Sequence, residues 1–346
     1  MATRFATKSE IDTWNQRVID NPDGGNVFQS AEFANLKKRG GWKTRHIIAD
    51  EIALTVLEKF LPSLGKIWYI PKGPGIVSVE DLKKLLPDLK RFARKARVFL
   101  IKIEPELLSS PGNSDELSSL GLVKSAAIQP NVSTVLLDIS QKPDEIMSSL
   151  HQKGRHAIKR AERDGVTVSR EPATEQNCRI MYSLLSETAA GSFRIRSYNY
   201  YRAFWQSFEK ANMGQLFFAR FGDDIIAGAF AMIFGHKSTY KDGASSRDHP
   251  QYGASHLLQW NIVKWAHENG ATVHDLCGTP PAAHIKDQNH PYYGLGRFKT
   301  SFNKTVTDYV GVYDFVIMPV PYRIWRRAAH RLAVRWHNFR QNENYF

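Results

Sequence analysis

Apolar and polar positions along this chain recur with two periods, which divide it into helices and strands. Patterning around Ser9, Glu10, Ile11 and Trp14 predicts a first helix, and residues 29–38 predict a second, closed by Gly40 and Gly41. Short apolar runs at 53–60, 66–70, 98–104 and 132–139 have the length of single strands, with a basic helix over 81–95 among them. Pro143 opens a long predicted helix in which Ile146, Leu150, Ala157 and Ala161 share one side, and Gly165 ends it. Helices at 174–190 and 198–211 then precede a hairpin of 216–221 and 225–234, turned at Gly222, Asp223 and Asp224. A strand near Tyr240, a helix over 255–269 and a short strand at 273–276 complete a second α/β run. Strand, helix and strand in similar order in both halves predict a mixed α/β fold and hint at two duplicated domains.

Length supports two units, because 346 residues exceed the size at which a single core usually stops growing. With 42% hydrophobic residues the chain can bury such cores. Charge adds the first functional clue. Lys and Arg outnumber Asp and Glu by 47 to 34, a formal +13, and that field attracts polyanions: nucleic acid, pyrophosphate or anionic lipid. The two cysteines, Cys178 and Cys277, are far apart and lack spaced Cys or His partners, so neither a zinc cage nor a disulfide framework is expected, and a reducing cytoplasm is the natural compartment. No stretch approaches the roughly 20 apolar residues of a spanning helix. A soluble or peripherally attached monomer follows as the expectation.

Several segments carry candidate chemistry, each with a plainer alternative. Gln29, Phe33 and Lys37 share one face of the second predicted helix, where a lysine beside an aromatic ring can hold a phosphate; a solvated lysine at a helix end is the commoner explanation. In 151–163, Arg155, Lys159 and Arg163 recur at spacing four with His156 and Arg160 in the next row. Such a stripe can track a phosphate backbone, or be a solvated face. Arg196 and Tyr200 can present a guanidinium and a phenol together, or pack as an aromatic with a rim arginine. Tyr240 reads as a strand tyrosine running into Lys241 and Asp242. The densest segment runs from Asp275 and Cys277 through His284, Lys286 and His290 to Tyr292, Tyr293, Gly294, Gly296, Phe298 and Lys299, where glycines among polar and aromatic residues suit a loop close to a ligand. His274, His284 and His290 match no metal-ligand spacing, and no metal or cofactor is expected.

In order along nearly the whole chain, the 29–37 segment, YIPKGP at 69–74, the basic stretch 150–163, Arg196 with Tyr200, and GLGRFKTSF at 294–302 resemble the FemABX peptidoglycan aminoacyltransferases. The resemblance implies two GCN5-acetyltransferase-like domains, residues 1–140 with 315–346 binding the precursor and 141–314 holding the transfer site. It implies transfer of an amino acid from aminoacyl-tRNA to an amine of the stem peptide of a UDP-linked or lipid-linked peptidoglycan precursor. By motif, Lys37 and Arg196 would bind the precursor's pyrophosphate, with Tyr69, Tyr200 and Tyr240 in the substrate site. Phe298 and Lys299 would lie at the catalytic and tRNA-end position, and Arg155, Lys159, Arg160 and Arg163 would contact tRNA. The chain departs from the family twice. Residues 173–211 leave no room for the long helical hairpin of some members, as in the compact FemX-type form, and Gly75, Ile76 and Val77 are neutral where an acidic residue is expected near the acceptor.

Two other readings compete. An acyl-CoA N-acyltransferase would hold pyrophosphate on a glycine-rich loop, of which residues 247–254 are a frayed version, and a non-catalytic RNA-binding module would also suit the charge. At the C-terminal end, Trp325, Leu332, Trp336 and Phe339 recur at helical spacing among Arg323, Arg326, Arg327, Arg331, Arg335 and Arg340. That basic amphipathic helix can pack on the first domain, touch tRNA, or lie on an anionic inner membrane leaflet.

Overall fold

A computed structural model describes residues 3–128, 132–189, 194–246 and 253–329. The chain divides into two compact units, Met1–Val132 with Tyr309–Phe346, and Ser133–Asp308. The second unit begins at Ser133, ahead of residue 140, because Leu136–Asp138 pairs with Val273–Asp275 and Ser133–Thr134 with Thr307–Asp308.

The first unit is built on a sheet ordered Arg4–Phe5, Lys43–Ala49, Ile52–Leu61, Gly65–Ile70, Val98–Ile103, Tyr313–Val316 and Leu122–Lys124. Neighbouring strands are antiparallel except for Gly65–Ile70 beside Val98–Ile103, which run parallel. A parallel pair needs a crossover, and the Val79–Lys95 helix supplies it. Ser78 caps that helix by accepting from the Asp81 N–H at 3.1 Å, Glu80 and Asp81 sit at its positive end, and Arg94 and Lys95 at its negative end. Leu82, Leu85, Leu86, Leu89 and Ala93 form its buried stripe and join Ile47, Val56, Trp68, Ile101 and Phe315 in the core. Burying each such large side chain stabilises the fold by roughly 1.5–3 kcal/mol.

The second unit repeats the plan with its sheet ordered Leu136–Asp138, Val273–Asp275, Lys237–Ser245, Asp224–Phe234, Gly214–Phe221 and Val166–Glu171. Again an antiparallel meander ends on one parallel pair, Lys237–Ser245 beside Val273–Asp275, joined through the Ala254–Glu268 helix. That helix places Leu257, Leu258, Ile262, Val263 and Ala266 against Phe217, Ala227, Ala229 and Ala231 of the sheet. The mixed α/β expectation holds, and the two units share one strand pattern, as two GCN5-acetyltransferase-like domains require. Within 173–211 lie two helices of ordinary length, Glu175–Ala189 and Tyr198–Lys210.

Several predicted elements take different forms. Gln29 lies in a 3-10 turn, Val27–Gln29, and the α-helix is Ala31–Arg39, because the Ser30 side chain accepts from Phe33 N–H and starts it there. The long helix from Pro143 is two, Pro143–Ser149 and Gln152–Arg163, since Leu150 leaves helical geometry and the His151 ring caps the second by accepting from Lys153 N–H. The first helix is likewise split at Thr13. Tyr293–Lys299, read as loop, is a helix. Strands Lys43–Ala49, Val166–Glu171 and Tyr313–Val316 are additional. Residues 247–252 and the tail positions from 330 onward lie outside the described residues.

Candidate functional site

In the first unit, Lys37 lies in the last turn of the Ala31–Arg39 helix, 5% exposed, with its ammonium 5.2 Å from the centre of the Phe33 ring. Burial excludes the solvated-lysine alternative. Gln29 does not share this role. Its amide receives the Thr55 N–H at 2.7 Å and donates to the carbonyls of Pro71 and Thr55, so it fastens the segment after Gly65–Ile70 to the sheet.

That segment carries a second cluster. Lys72, 2% exposed, lies 3.9 Å from a Glu104 oxygen and 5.7 Å from the Tyr309 ring, while the buried Tyr69 hydroxyl donates to the other Glu104 oxygen at 2.7 Å. Glu104 supplies beside Tyr69 the carboxylate that Gly75, Ile76 and Val77 lack. It arrives from the neighbouring strand, immediately after Ile103, so linear spacing from Tyr69 does not reveal it.

In the second unit, Lys299 ends the Tyr293–Lys299 helix, 5% exposed, and its ammonium donates to the carbonyls of Cys277 at 2.9 Å and Gly278 at 2.6 Å. Burial lowers its pKa, opposed by the Cys277 and Asp275 charges. Asp275 is itself buried and receives the Thr134 hydroxyl and the Cys277 N–H. Two of the three ammonium donors are thereby used among the described residues, which fixes the direction of the third. Phe298 packs edge-on to His256 at 4.9 Å and to Phe302 at 5.4 Å. His256 meets the Ser301 hydroxyl at 3.0 Å, and burial takes its pKa down to about 4, so the ring is neutral. His274 is buried between Ser238 and Gln259, whereas His284 and His290 stack with ring centres 6.4 Å apart.

Arg196 precedes the Tyr198–Lys210 helix, which Ser197 caps, and its guanidinium lies over the Tyr200 ring at 4.5 Å. Tyr240 lies on the opposite side of the sheet from that helix, against the core that the Ala254–Glu268 helix covers. Its hydroxyl occupies the space a β-carbon would take at Gly243, and burial, with Asp242 and Cys277, raises its pKa. Sequence reading passed over Lys241 and Asp242. The register shifts between Phe230 and Ala231 so that Lys241 is the extra residue of a β-bulge, and both charges face the Tyr198–Lys210 helix. Two adjacent charges inside an otherwise apolar strand were the available signal, since strict alternation would bury one of them on the wrong face.

The basic stripe is divided in its roles. Arg155 donates to the carbonyls of Ser148 and Leu150 and closes the break between two helices, Arg160 and Arg163 both reach Asp164 at 3.2 Å, and Lys159 is exposed. In each unit polar groups follow the stretch paired in parallel: Lys72 and Glu104 after Gly65–Ile70 and Val98–Ile103, and Tyr240–Asp242 and Cys277–Gly278 after the pairing of Thr239 with Asp275. Ligands of open α/β sheets bind outside the carboxyl ends of such stretches.

Known proteins resemble the chain over nearly its whole length. The chain is 23% identical to the lipid II:glycine glycyltransferase of Staphylococcus epidermidis over 397 aligned positions, covering 91% of this chain and 94% of that one. It is 23% identical to the protein of the same name from Staphylococcus aureus over 418 positions, covering 96% and 97%. Both alignments are longer than 346 residues, so those relatives carry segments this chain lacks. The crystal structure of FemX superposes with a TM-score of 0.79 at 20% identity, over 95% of this chain and all of that one. The FemAB family model matches residues 6–129, 116–221 and 212–330, which takes in every candidate residue above. Matched along almost its whole length and folded as FemX is, the chain belongs to the FemAB family.

Proposed function

We propose that this chain is an aminoacyltransferase that moves an amino acid, glycine foremost, from aminoacyl-tRNA to an amine of the stem peptide of a lipid-linked peptidoglycan precursor, building an interpeptide bridge. Membership of the FemAB family supports the reaction, and the two staphylococcal glycyltransferases point to glycine and lipid II. Lys299 carries the mechanistic reading: a buried ammonium, held by two carbonyls, with one donor left to aim.

The tRNA ester is already activated. The acceptor amine attacks its carbonyl carbon, the carbon–oxygen bond to the ribose breaks, and an amide forms while the amine proton passes to the departing ribose oxygen, relayed by a neighbouring hydroxyl or phosphate of the tRNA end. Negative charge grows on the carbonyl oxygen, and the third Lys299 N–H meets it where burial strengthens the attraction. Phe298 lies beside the tRNA end, steadied by His256 and Phe302. Lys37 in the first unit, and Arg196 with Tyr200 in the second, each contact the precursor, Lys37 and Arg196 through its phosphates, whereas Tyr240, packed on the other face of its sheet, is not grouped with them. Tyr69 acts through Glu104, which accepts from its hydroxyl and can orient the N–H groups of the neutral acceptor amine. Lys159, with Arg155, Arg160 and Arg163, receives tRNA phosphates.

No described helix is long and apolar enough to cross a membrane. A lipid-linked acceptor still requires a visit to the inner leaflet, and residues 323–340 supply six arginines with Trp336 and Phe339 for peripheral attachment. Incubation with glycyl-tRNA and lipid II, followed by mass spectrometry, tests the function. The expected product gains glycyl residues. Acetylation from acetyl-CoA with no transfer from tRNA would replace this reading.

A further inference from the structure

The bulge in Lys237–Ser245 places two oppositely charged side chains side by side on one face of the sheet, an arrangement regular alternation forbids. Their surroundings are unequal. Asp242 is sealed in, with 7% of its side chain exposed, receiving the Trp205 N–H at 3.0 Å on one oxygen and the Lys241 ammonium at 3.0 Å on the other. Lys241 keeps 24% of its side chain exposed and lies 5.3 Å from the Phe204 ring. Burial opposes its charge, but the adjacent Asp242 carboxylate outweighs that, so it stays protonated. A pair serving only the core would bury both partners. Here the carboxylate is the buried anchor, and the ammonium is held where solvent reaches it.

Tyr200 ties this pair to the candidate site. Its ring carries the Arg196 guanidinium at 4.5 Å and lies 6.2 Å from the Phe204 ring, whose centre is 5.3 Å from the Lys241 ammonium. Two neighbouring rings of one helix thus carry two cations, from different elements, that would otherwise repel. Asp242 offsets part of that repulsion. An ammonium with one donor on Asp242 has two more to offer a phosphate oxygen.

We propose that Lys241 is a further phosphate-binding residue of the second unit, presented by the bulge and by Asp242 over the Phe204 ring, next to the Tyr200 ring that carries Arg196. That the phosphate is the diphosphate of the precursor rests on the function proposed above. The binding itself does not, and inorganic pyrophosphate is the probe. Calorimetry on the full chain is expected to show Lys241→Met weakening pyrophosphate about tenfold, the loss of roughly one charge-assisted contact, with Lys241→Arg retaining most of the affinity. A folded Lys241→Met that binds pyrophosphate as the unaltered chain does would overturn the assignment. The unaltered protein supplies a second measurement, independent of whether the variant folds. Acetylation of lysines by acetic anhydride, mapped by mass spectrometry, should show Lys241 protected by pyrophosphate, and equal labelling with and without it would also overturn the assignment. A chain that binds pyrophosphate through Lys241 yet transfers no amino acid would remove the proposed function and leave this site standing.

Discussion

Gly154 and Ser301 meet backbone to backbone: a β-carbon at 154 would collide with the Ser301 carbonyl oxygen. Three residues earlier, the His151 N–H donates to the Phe302 carbonyl at 2.9 Å. The basic helix is therefore docked on the turn that follows Lys299, and a glycine in a helix interior, ordinarily a cost, is what permits the approach.

Gly154→Ala should destabilise the protein by about 1–3 kcal/mol through overpacking, more than the roughly 1 kcal/mol that alanine adds to a helix. Gly294→Ala is the control, because nothing lies within 4 Å of the new methyl group in its own helix. Urea unfolding distinguishes them. Equal stability of the Gly154→Ala variant and the unaltered chain would sink the close-approach argument.

Lys299→Met should lower kcat by about 10²–10³ while changing the KM for precursor little, since a donor aimed at developing charge acts mainly in the transition state. The same change leaves the Cys277 and Gly278 carbonyls without their donor, so a stability loss of about 1–3 kcal/mol accompanies it. Steady-state kinetics on the folded variant decide the role. An unchanged kcat with a raised KM would move Lys299 to substrate binding.

Lys37→Ala and Arg196→Ala should each weaken precursor binding about ten- to a hundredfold, the range expected for losing a hydrogen bond to a charged group, and leave tRNA affinity nearly intact. Calorimetry with each ligand reads both. Equal loss of tRNA binding would show that these cations do not serve the precursor.

Acid should weaken the fold before its carboxylates titrate. Burial holds His46 and His256 at about 4 and His274 at about 3, all below the ordinary 6.5. Protons therefore bind the unfolded chain first, and the stability these neutral rings contribute is complete above pH 6.5 and lost as pH falls, down to about 4 for His46 and His256 and about 3 for His274. His256→Gln, which can keep a hydrogen bond to Ser301, should flatten the dependence of unfolding free energy on pH between about 6.5 and 5. An unaltered slope in that variant would mean that His256 charges freely in the folded protein.

Removal of the tail tests membrane attachment, but the cut must respect packing. Tyr322 and Trp325 are buried, with the Tyr322 hydroxyl donating to Asp314 at 3.1 Å and the Trp325 ring against Phe99, so truncation before them would damage the first unit. Deleting 330–346 spares both. The shortened chain should remain folded by circular dichroism and lose co-sedimentation with anionic liposomes. Undiminished co-sedimentation would take the tail out of membrane targeting.

Local information in the sequence determined much of this protein. Leu82, Leu85, Leu86, Leu89 and Ala93 repeat at helical spacing, and the 216–234 hairpin is spelled by its turn, because both depend on neighbours in the chain. Ordered motifs also determined the family, and with it the positions of Lys37, Arg196 and Lys299. Tertiary structure decided what those positions touch. Glu104 reaches Tyr69 through strand pairing 35 residues away, and Lys299 reaches Cys277 and Gly278 over 22 and 21 residues. The Lys241–Asp242 pair owes its common face to a register shift against Phe230 and Ala231. Whether a charge is buried, anchored or offered to a ligand depends on atoms brought in from distant segments, and a pattern of period two or 3.6 carries no information about them.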